Sequence, residues 1–394
     1  TQRSGLDHFQ TLTSHRRSGF LQIDAATRRS LEITRTLRSG SREGSLLGVI
    51  DLTCTPMGSR LLADWISAPL INTTGINHRL DAVEMLSAET GFRADIQKTL
   101  NQTFDLTRLL GRIATGRTGP RDLQQIARTL ASLPLLKAHL AGRPPERLCF
   151  IDAHLHLCPD LREKLESGLA DECPLNAADG NFIREGFDTE LDELRTLARG
   201  GKEWIAAYQR DQMEQTGITN LKVGYNKVFG YYLEATNAHR DKVPDFYIRK
   251  QTLKNCERFI TPELKEYEEK VLAADEKASS REQLLFQQLR DETHRQLSTL
   301  QEVAMAIAEL DALAALGEIS SRKGWVRPTL NDESVLRING GRHPVLDVTL
   351  PQGEFVPNDC VQSPETGMIL LITGPNMAGK STYIRQVALI TLLA

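Results

Sequence analysis

Long apolar runs are missing from this chain of 394 residues. The longest, Val303 to Ala308, counts six, against the roughly 20 a helix needs to cross a bilayer, so no membrane span is expected. Paired cysteines are missing as well. The six Cys (54, 149, 158, 173, 256 and 360) never fall in a Cys-x-x-Cys pair and lie far apart, which reads as reduced, intracellular thiols rather than a disulfide framework. No charge of one sign dominates: 48 Lys plus Arg stand against 51 Asp plus Glu. With 28 Gly and 16 Pro and no repeat, collagen-like, low-complexity and wholly disordered proteins are excluded. The start, Thr1-Gln2-Arg3-Ser4-Gly5, has neither an initiator Met nor a charged-then-apolar leader pattern.

What is present is mostly helical pattern, over a length that admits two or three domains. Thr55-Pro56-Met57-Gly58 reads as an N-cap with Pro at the first helical position, followed at helical spacing by Leu61, Leu62, Trp65 and Ile66. From Phe182 a narrow seam (Phe187, Leu191, Leu194, Ala198, Ile205, Tyr208) predicts a helix to about Gln215, ending at Thr216-Gly217. A second seam opens at Thr261-Pro262-Glu263 and runs through Leu264, Tyr267, Val271, Ala274, Ala278, Leu285 and Leu289 to about Ile319. Unbroken, the two helices would be about 50 and 90 Å long. Two seams around a short insert suggest an antiparallel pair carrying the insert at its tip; an ordinary helical bundle with a long loop is the alternative.

The insert, 217–256, changes character. Leu221, Val223 and Tyr225 alternate with Lys222 and Gly224, and Tyr231 and Leu233 resume the alternation, a hairpin signal. Seven Lys and Arg oppose three acids here, and six of the chain's 22 aromatics fall in the same stretch. Cations on a small sheet suit nucleic-acid phosphates, whose neutralisation releases counterions. A solvated basic face is the alternative, and residues 1–43 carry the same local excess of four positive charges.

The sharpest motif stands near the C-terminus. Met368-Ile369-Leu370-Leu371-Ile372 suits a buried parallel strand and leads into Gly374-Pro375-Asn376-Met377-Ala378-Gly379-Lys380-Ser381, a match to G-x-x-x-x-G-K-[ST]. Ile384, Val387, Ala388 and Leu392 then fall on one helix side. Glycines let backbone N–H groups wrap phosphates at a helix N-terminus; Lys380 would reach the β/γ-phosphates and the Ser381 hydroxyl would ligate Mg²⁺. A hydrolase of this kind also needs an acid on a neighbouring strand and a group orienting water. The 64 residues from Asn331 to Ala394 are too few for that sheet, so the chain is expected to be a fragment holding the phosphate grip without hydrolysis, and no catalytic residue is assigned within it.

Four segments carry a family resemblance: Leu80-Asp81-Ala82-Val83-Glu84, the stretch Leu221 to Tyr232, Arg249 to Asn255, and the loop Gly374 to Thr382. Together they resemble the MutS family of DNA mismatch-repair ATPases over essentially the whole chain. The resemblance implies a mainly α fold: a helical core, long antiparallel lever helices, a small β-rich DNA clamp and an incomplete α/β P-loop ATPase domain of ABC type. The implied segments are a connector tail at 1–20, core and lever at 21–216, clamp at 217–256, returning lever at 257–327 and the start of the ATPase domain at 328–394.

The resemblance also implies a function, ATP-dependent recognition of mismatched DNA in repair, in a bacterial, cytoplasmic and nucleoid-associated setting. ATP or ADP with Mg²⁺ would be the cofactors. Double-stranded mismatched DNA, a second copy in a homodimer, and MutL would be the partners. Gly374, Pro375, Asn376, Met377, Ala378, Gly379, Lys380, Ser381 and Thr382 map to the nucleotide loop, and Phe355 to the aromatic that stacks on adenine, with a core Phe at a strand end as the alternative. Lys222, Asn226, Lys227, Arg249, Lys250 and Lys254 are the DNA-phosphate candidates. His343, in Gly341-Arg342-His343-Pro344, reads as packing rather than as a base. Asp152, His154, His156 and Cys158 alternate like metal ligands, but no second cluster accompanies them and the family has no metal there. The family's Phe-x-Glu mismatch reader would precede Thr1, and the Mg²⁺-binding acid and signature motif would follow Ala394. A MutS-like junction clamp without mismatch reading is the competing function.

Overall fold

The computed structural model describes residues 19–394 except 227, 229 and 352; Lys227 and most of the expected 1–20 tail lie outside the described residues. In chain order the elements are α1 Ala25–Ser30, α2 Leu46–Ile50, α3 Pro56–Ser67, α4 Thr73–Ala88, α5 Thr90–Leu100, α6 Leu106–Ala114, α7 Pro120–Leu140, α8 Glu146–His154, α9 Pro159–Gly168, α10 Thr189–Arg199 and α11 Gly201–Thr216. Strands β1 Lys222–Asn226, β2 Gly230–Thr236, β3 Ile248–Thr252 and β4 Cys256–Ile260 follow. The chain continues with α12 Pro262–Arg295, α13 Leu297–Lys323, β5 Leu336–Gly341, α14 Leu346–Thr349, β6 Asn358–Gln362 and α15 Lys380–Leu393. The described chain is mainly helical with two small antiparallel sheets, and none of its helices is long and apolar enough to cross a membrane. Packing divides it into two compact units, one holding the residues up to Thr118 with Gln125–Arg162 and Thr293–Ala394, the other Gly119–Gln124 with Glu163–Glu292.

The first unit is organised around α13. Its buried residues include Leu300, Val303, Ala304, Ile307, Leu310, Ala312, Leu313 and Ala315 and cover every side of the helix, the pattern of a helix enclosed by others. It packs against α3, α4, α5, α6 and α8. Small residues permit the approach: a Cβ on Gly317 would press on Leu86 at 2.8 Å, and one on Gly58 would collide with Asp311. Asp311 itself is buried and caps α3. Its carboxylate accepts the Cys54 N–H (2.8 Å), the Thr55 N–H (2.7 Å) and the Thr55 hydroxyl (2.6 Å), while Thr55 Oγ1 accepts the Gly58 N–H at 3.0 Å. Thus the Thr55–Pro56 helix start expected from the sequence is held by a partner more than 250 residues away, and burial beside Asp311 pushes the Cys54 thiol up to about 11. All six cysteines are free.

The second unit joins α10, α11 and the start of α12 to the four-stranded sheet, in the order β1-β2-β4-β3. Thr261 caps the long helix as its sequence implies, its Oγ1 accepting the Leu264 N–H at 3.1 Å. The expected single helices are each broken. The first divides at Gly200, between α10 and α11, although its φ −59° and ψ −12° stay in the right-handed region, and the second divides at Gln296, whose φ −97° and ψ 15° are not helical.

Two further expectations differ. Residues 368–372 form no ladder with any described strand, and 368–371 are exposed, since a parallel strand needs neighbours to satisfy its backbone. The buried face of α15 is Gln386, Leu389 and Leu392, not Ile384, which is exposed. Leu389 and Leu392 enter a cluster with Ile33, Leu46, Ile50, Leu62 and Ala312, and that contact sets the helix rotation.

Asp311→Ala should destabilise the first unit by about 3 kcal/mol, since it strands buried N–H donors and removes the order at the α3 cap. Asp311→Asn, which keeps one acceptor, should cost less. Urea unfolding followed by circular dichroism measures both, and equal midpoints for wild type and Asp311→Ala would refute the assignment.

Candidate functional site

Gly374 (φ +148°), Met377 (φ +67°) and Gly379 (φ +84°) turn the loop before α15 through positive φ. The glycines take this freely, and Gly379 ends in the left-handed region as the residue preceding the helix. No side chain caps α15, so the first-turn N–H groups and the positive end of the helix dipole face the loop. Lys380 Nζ folds back on the loop, donating to the carbonyls of Gly374 (2.6 Å) and Pro375 (2.5 Å).

Beside the loop lies a cavity of about 330 Å³. Of the nucleotide residues expected from the sequence, Phe355, Ala378, Gly379, Lys380 and Thr382 line it. Gly374, Pro375, Asn376, Met377 and Ser381 do not: they are exposed, with the Met377 side chain wholly in solvent. Asn358, Tyr383 and Gln386 also line it and were missed. Tyr383 and Gln386 follow Lys380 at three and six residues on one face of α15, a spacing signal that apolar periodicity hides because neither residue is aliphatic. A base stacked on Phe355 and phosphates at the helix N-terminus would suit these groups, because the glycine-bent loop, the uncapped helix and a mobile ammonium are the chemistry that anionic phosphates require.

His343 does not face this cavity. It is buried, and its Nδ1 accepts the N–H groups of Val345 (3.3 Å) and Leu346 (3.4 Å), so that nitrogen carries no proton. Burial and the nearby Arg385 hold its pKa below the usual imidazole value.

In the small sheet, paired residues share a face. Val223, Leu233 and Phe259 lie in one row, on the side of the cluster formed with Tyr208, Ile218, Leu221, Ala235, Tyr247 and Leu264. Trp204 is stacked between Tyr208 and Tyr267 beneath it, at ring centroid distances of 4.8 and 3.6 Å. The opposite face carries Lys222, Tyr232, Glu234, Gln251 and Arg258. There Arg258 bonds Glu234 and Gln251, each at 3.0 Å, and covers the Tyr232 ring.

The phosphate candidates separate accordingly. Lys222, Lys250 and Lys254 are exposed, with no ion-pair partner among the described residues. Arg249 is tied to the buried Glu257 at 3.2 Å, and Asn226 Oδ1 accepts the Val228 N–H at 2.8 Å, serving the hairpin turn. Lys227 lies outside the described residues. The alternating set elsewhere is dispersed: His154 Nδ1 meets the Phe150 carbonyl (2.8 Å), His156 meets Glu302 (2.9 Å), and Asp152 pairs with Lys137 (3.1 Å).

Comparison with known proteins finds similar sequences along the chain. A family model described as MutS domain III matches residues 26–317, and one described as MutS domain V matches 370–394. The chain is 72% identical over its whole length to the DNA mismatch repair protein MutS of Rhodopirellula baltica, of which it covers 44%. It is 45% identical to the proteins of the same name from Salinibacter ruber and Desulforamulus reducens, covering 44% and 45% of them. The chain thus spans less than half the length of these curated relatives.

With His343 neutral in the fold and its unfolded value near 6.5, protons favour the unfolded chain as pH falls below 6.5. Stability should therefore decline from pH 7 toward pH 5.5. His343→Asn, whose amide oxygen replaces Nδ1 as acceptor without titrating, should flatten that slope in thermal melts. Identical slopes in the two proteins would refute this role.

Proposed function

The chain belongs to the MutS family, and on that premise we propose that it serves DNA mismatch repair by coupling a nucleotide site at Gly374–Thr382 to a DNA clamp built on β1–β4. The observation that carries the nucleotide half is the convergence of Phe355, Gly379, Lys380 and Thr382 on one cavity, although Phe355 and the loop are separate in sequence. Relatives named as mismatch repair proteins support the wider role.

Bound ATP or ADP with Mg²⁺ would bring the phosphate charge and the metal that drive a change of conformational state. The chain's own residues receive it. Phe355 offers a ring face, the α15 N-terminus offers N–H donors, and Lys380 exchanges the carbonyls of Gly374 and Pro375 for phosphate oxygens. Ser381, exposed at the first turn of α15, is the hydroxyl available to Mg²⁺. The segments at 21–216, 217–256, 257–327 and 328–394 would act as core and lever, clamp, returning lever and first part of the ATPase domain. Homodimerisation and engagement of MutL belong to the same reading of the whole protein.

On the clamp, unpaired cations give sequence-independent, salt-sensitive binding. Lys222, Lys250 and Lys254 are the strongest candidates because they give up no ion pair to bind. Arg249 must first loosen from Glu257.

Two measurements test this reading. Changing Lys222, Lys250 and Lys254 together to Ala should lower duplex affinity and reduce the slope of log K against log salt by about two to three, near 0.9 per lost phosphate contact. Arg249→Ala should change the slope less than Lys250→Ala does. An unaltered slope in the triple variant removes the clamp assignment. Separately, Lys380→Ala should weaken MgATP binding at least about tenfold by calorimetry, the scale of a charge-assisted contact, with the melting temperature little changed. Undiminished binding would remove the loop from the site.

A further inference from the structure

Gln386 is fully buried on α15, yet its Oε1 meets no hydrogen-bond donor. Its Nε2 donates to the Asn358 carbonyl at 3.4 Å. That carbonyl can only accept, so the amide orientation is set: the NH₂ faces Asn358 and the oxygen faces away. Burying an acceptor without a donor is unfavourable, a cost that a Met of similar length would avoid. Packing keeps room for the amide all the same. Gly341 pairs with Asn358 across the β5–β6 ladder, and a Cβ there would come within 2.7 Å of Gln386 Nε2.

One turn nearer the loop, the Tyr383 hydroxyl donates to the Asp359 carbonyl at 2.9 Å. The helix that begins with Lys380 therefore grips two successive carbonyls at the start of β6, separated from Phe355 and Val356 only by Pro357. Gln386, Tyr383, Asn358 and Phe355 all line the cavity that Lys380 enters.

We propose that Gln386 is a positioning residue for the base end of the nucleotide site: it tethers the 355–358 segment to α15 and so sets the distance between base platform and phosphate grip. This rests on the nucleotide reading above and adds to it the residue that joins the two halves. Phosphates alone engage only the loop and helix, whereas a nucleoside phosphate must span both. Loss of the tether should therefore affect the two ligand classes differently, which a purely structural role for Gln386 would not.

The test is calorimetric binding of ADP and of inorganic tripolyphosphate to the full chain and to Gln386→Met. The Met variant should melt at the same temperature or higher, bind ADP about tenfold more weakly, the scale of one net hydrogen bond, and bind tripolyphosphate as before. Gln386→Asn, one methylene too short to reach Asn358, should give the same split by a different route and covers a Met variant that fails to fold. Unchanged ADP affinity, or equal losses for both ligands, would overturn the proposal. A wild-type chain that binds tripolyphosphate and ADP equally tightly would overturn it too, since no base platform then contributes. A wild-type chain that binds neither would defeat the nucleotide reading and the tether with it.

Discussion

A helix without a solvent-facing stripe is stable only inside a jacket of other helices, and α13 imposes that condition on the first unit. Its alanines and Gly317 bring α3 and α4 close, and its two buried carboxylates then need partners from the jacket. Asp311 finds the Thr55 cap, and Glu309 takes the Arg147 guanidinium in a two-point pair. Ala312 meets the same cluster as Leu389 and Leu392 of α15. Each buried leucine contributes about 1.5–3 kcal/mol, so α15 is seated on this apolar cluster as well as on its own small sheet.

The second unit uses a buried carboxylate in the same way. Glu282 of α12 accepts the N–H groups of Asn181 (3.0 Å), Phe182 (2.9 Å) and Ile183 (3.0 Å) and pairs with Arg195 at 2.6 Å. Removing one partner of such a buried pair costs about 3–5 kcal/mol, which makes this the joint of the unit. At the other end the Trp204 stack and the Tyr208 hydroxyl, 2.6 Å from Thr261 Oγ1, bind α11 to the start of α12. The sheet has one face committed to the aromatic core. Most of its charged residues lie on the other face and at the rims, but Glu257, opposite Ala235, and Arg249, opposite Phe259, stand on the core side and pair with each other.

That pairing sorts the cations. Composition counts Arg249 and Lys250 alike, but the bulge between Arg249 and Gln251 leaves Lys250 in solvent while Arg249 satisfies Glu257. Burying a carboxylate without a partner is costly, and Glu257 is buried beside Arg249, so the arginine is a structural counter-ion first.

The glycine-bent turn before α15, the hairpin at Lys222–Thr236, the Thr55 and Thr261 caps and the mainly helical class were legible in the sequence, because each is decided within a few residues. Glycine where φ must be positive, a hydroxyl before a helix and alternation of apolar residues are local conditions. Helix continuity across Gly200 and Gln296 was not legible, nor was the rotation of α15, since periodicity gives a stripe but not what meets it. The run Met368–Ile372 shows the same limit from the other side: its composition suits a buried strand, but a strand exists only where another backbone pairs with it. Residue order was enough for the family, the local motifs and the type of chemistry each could support. Tertiary structure alone decided which of those residues share a cavity, which cations are already neutralised, and that Gln386 ties two distant segments together, because burial and hydrogen-bond satisfaction depend on partners far away along the chain.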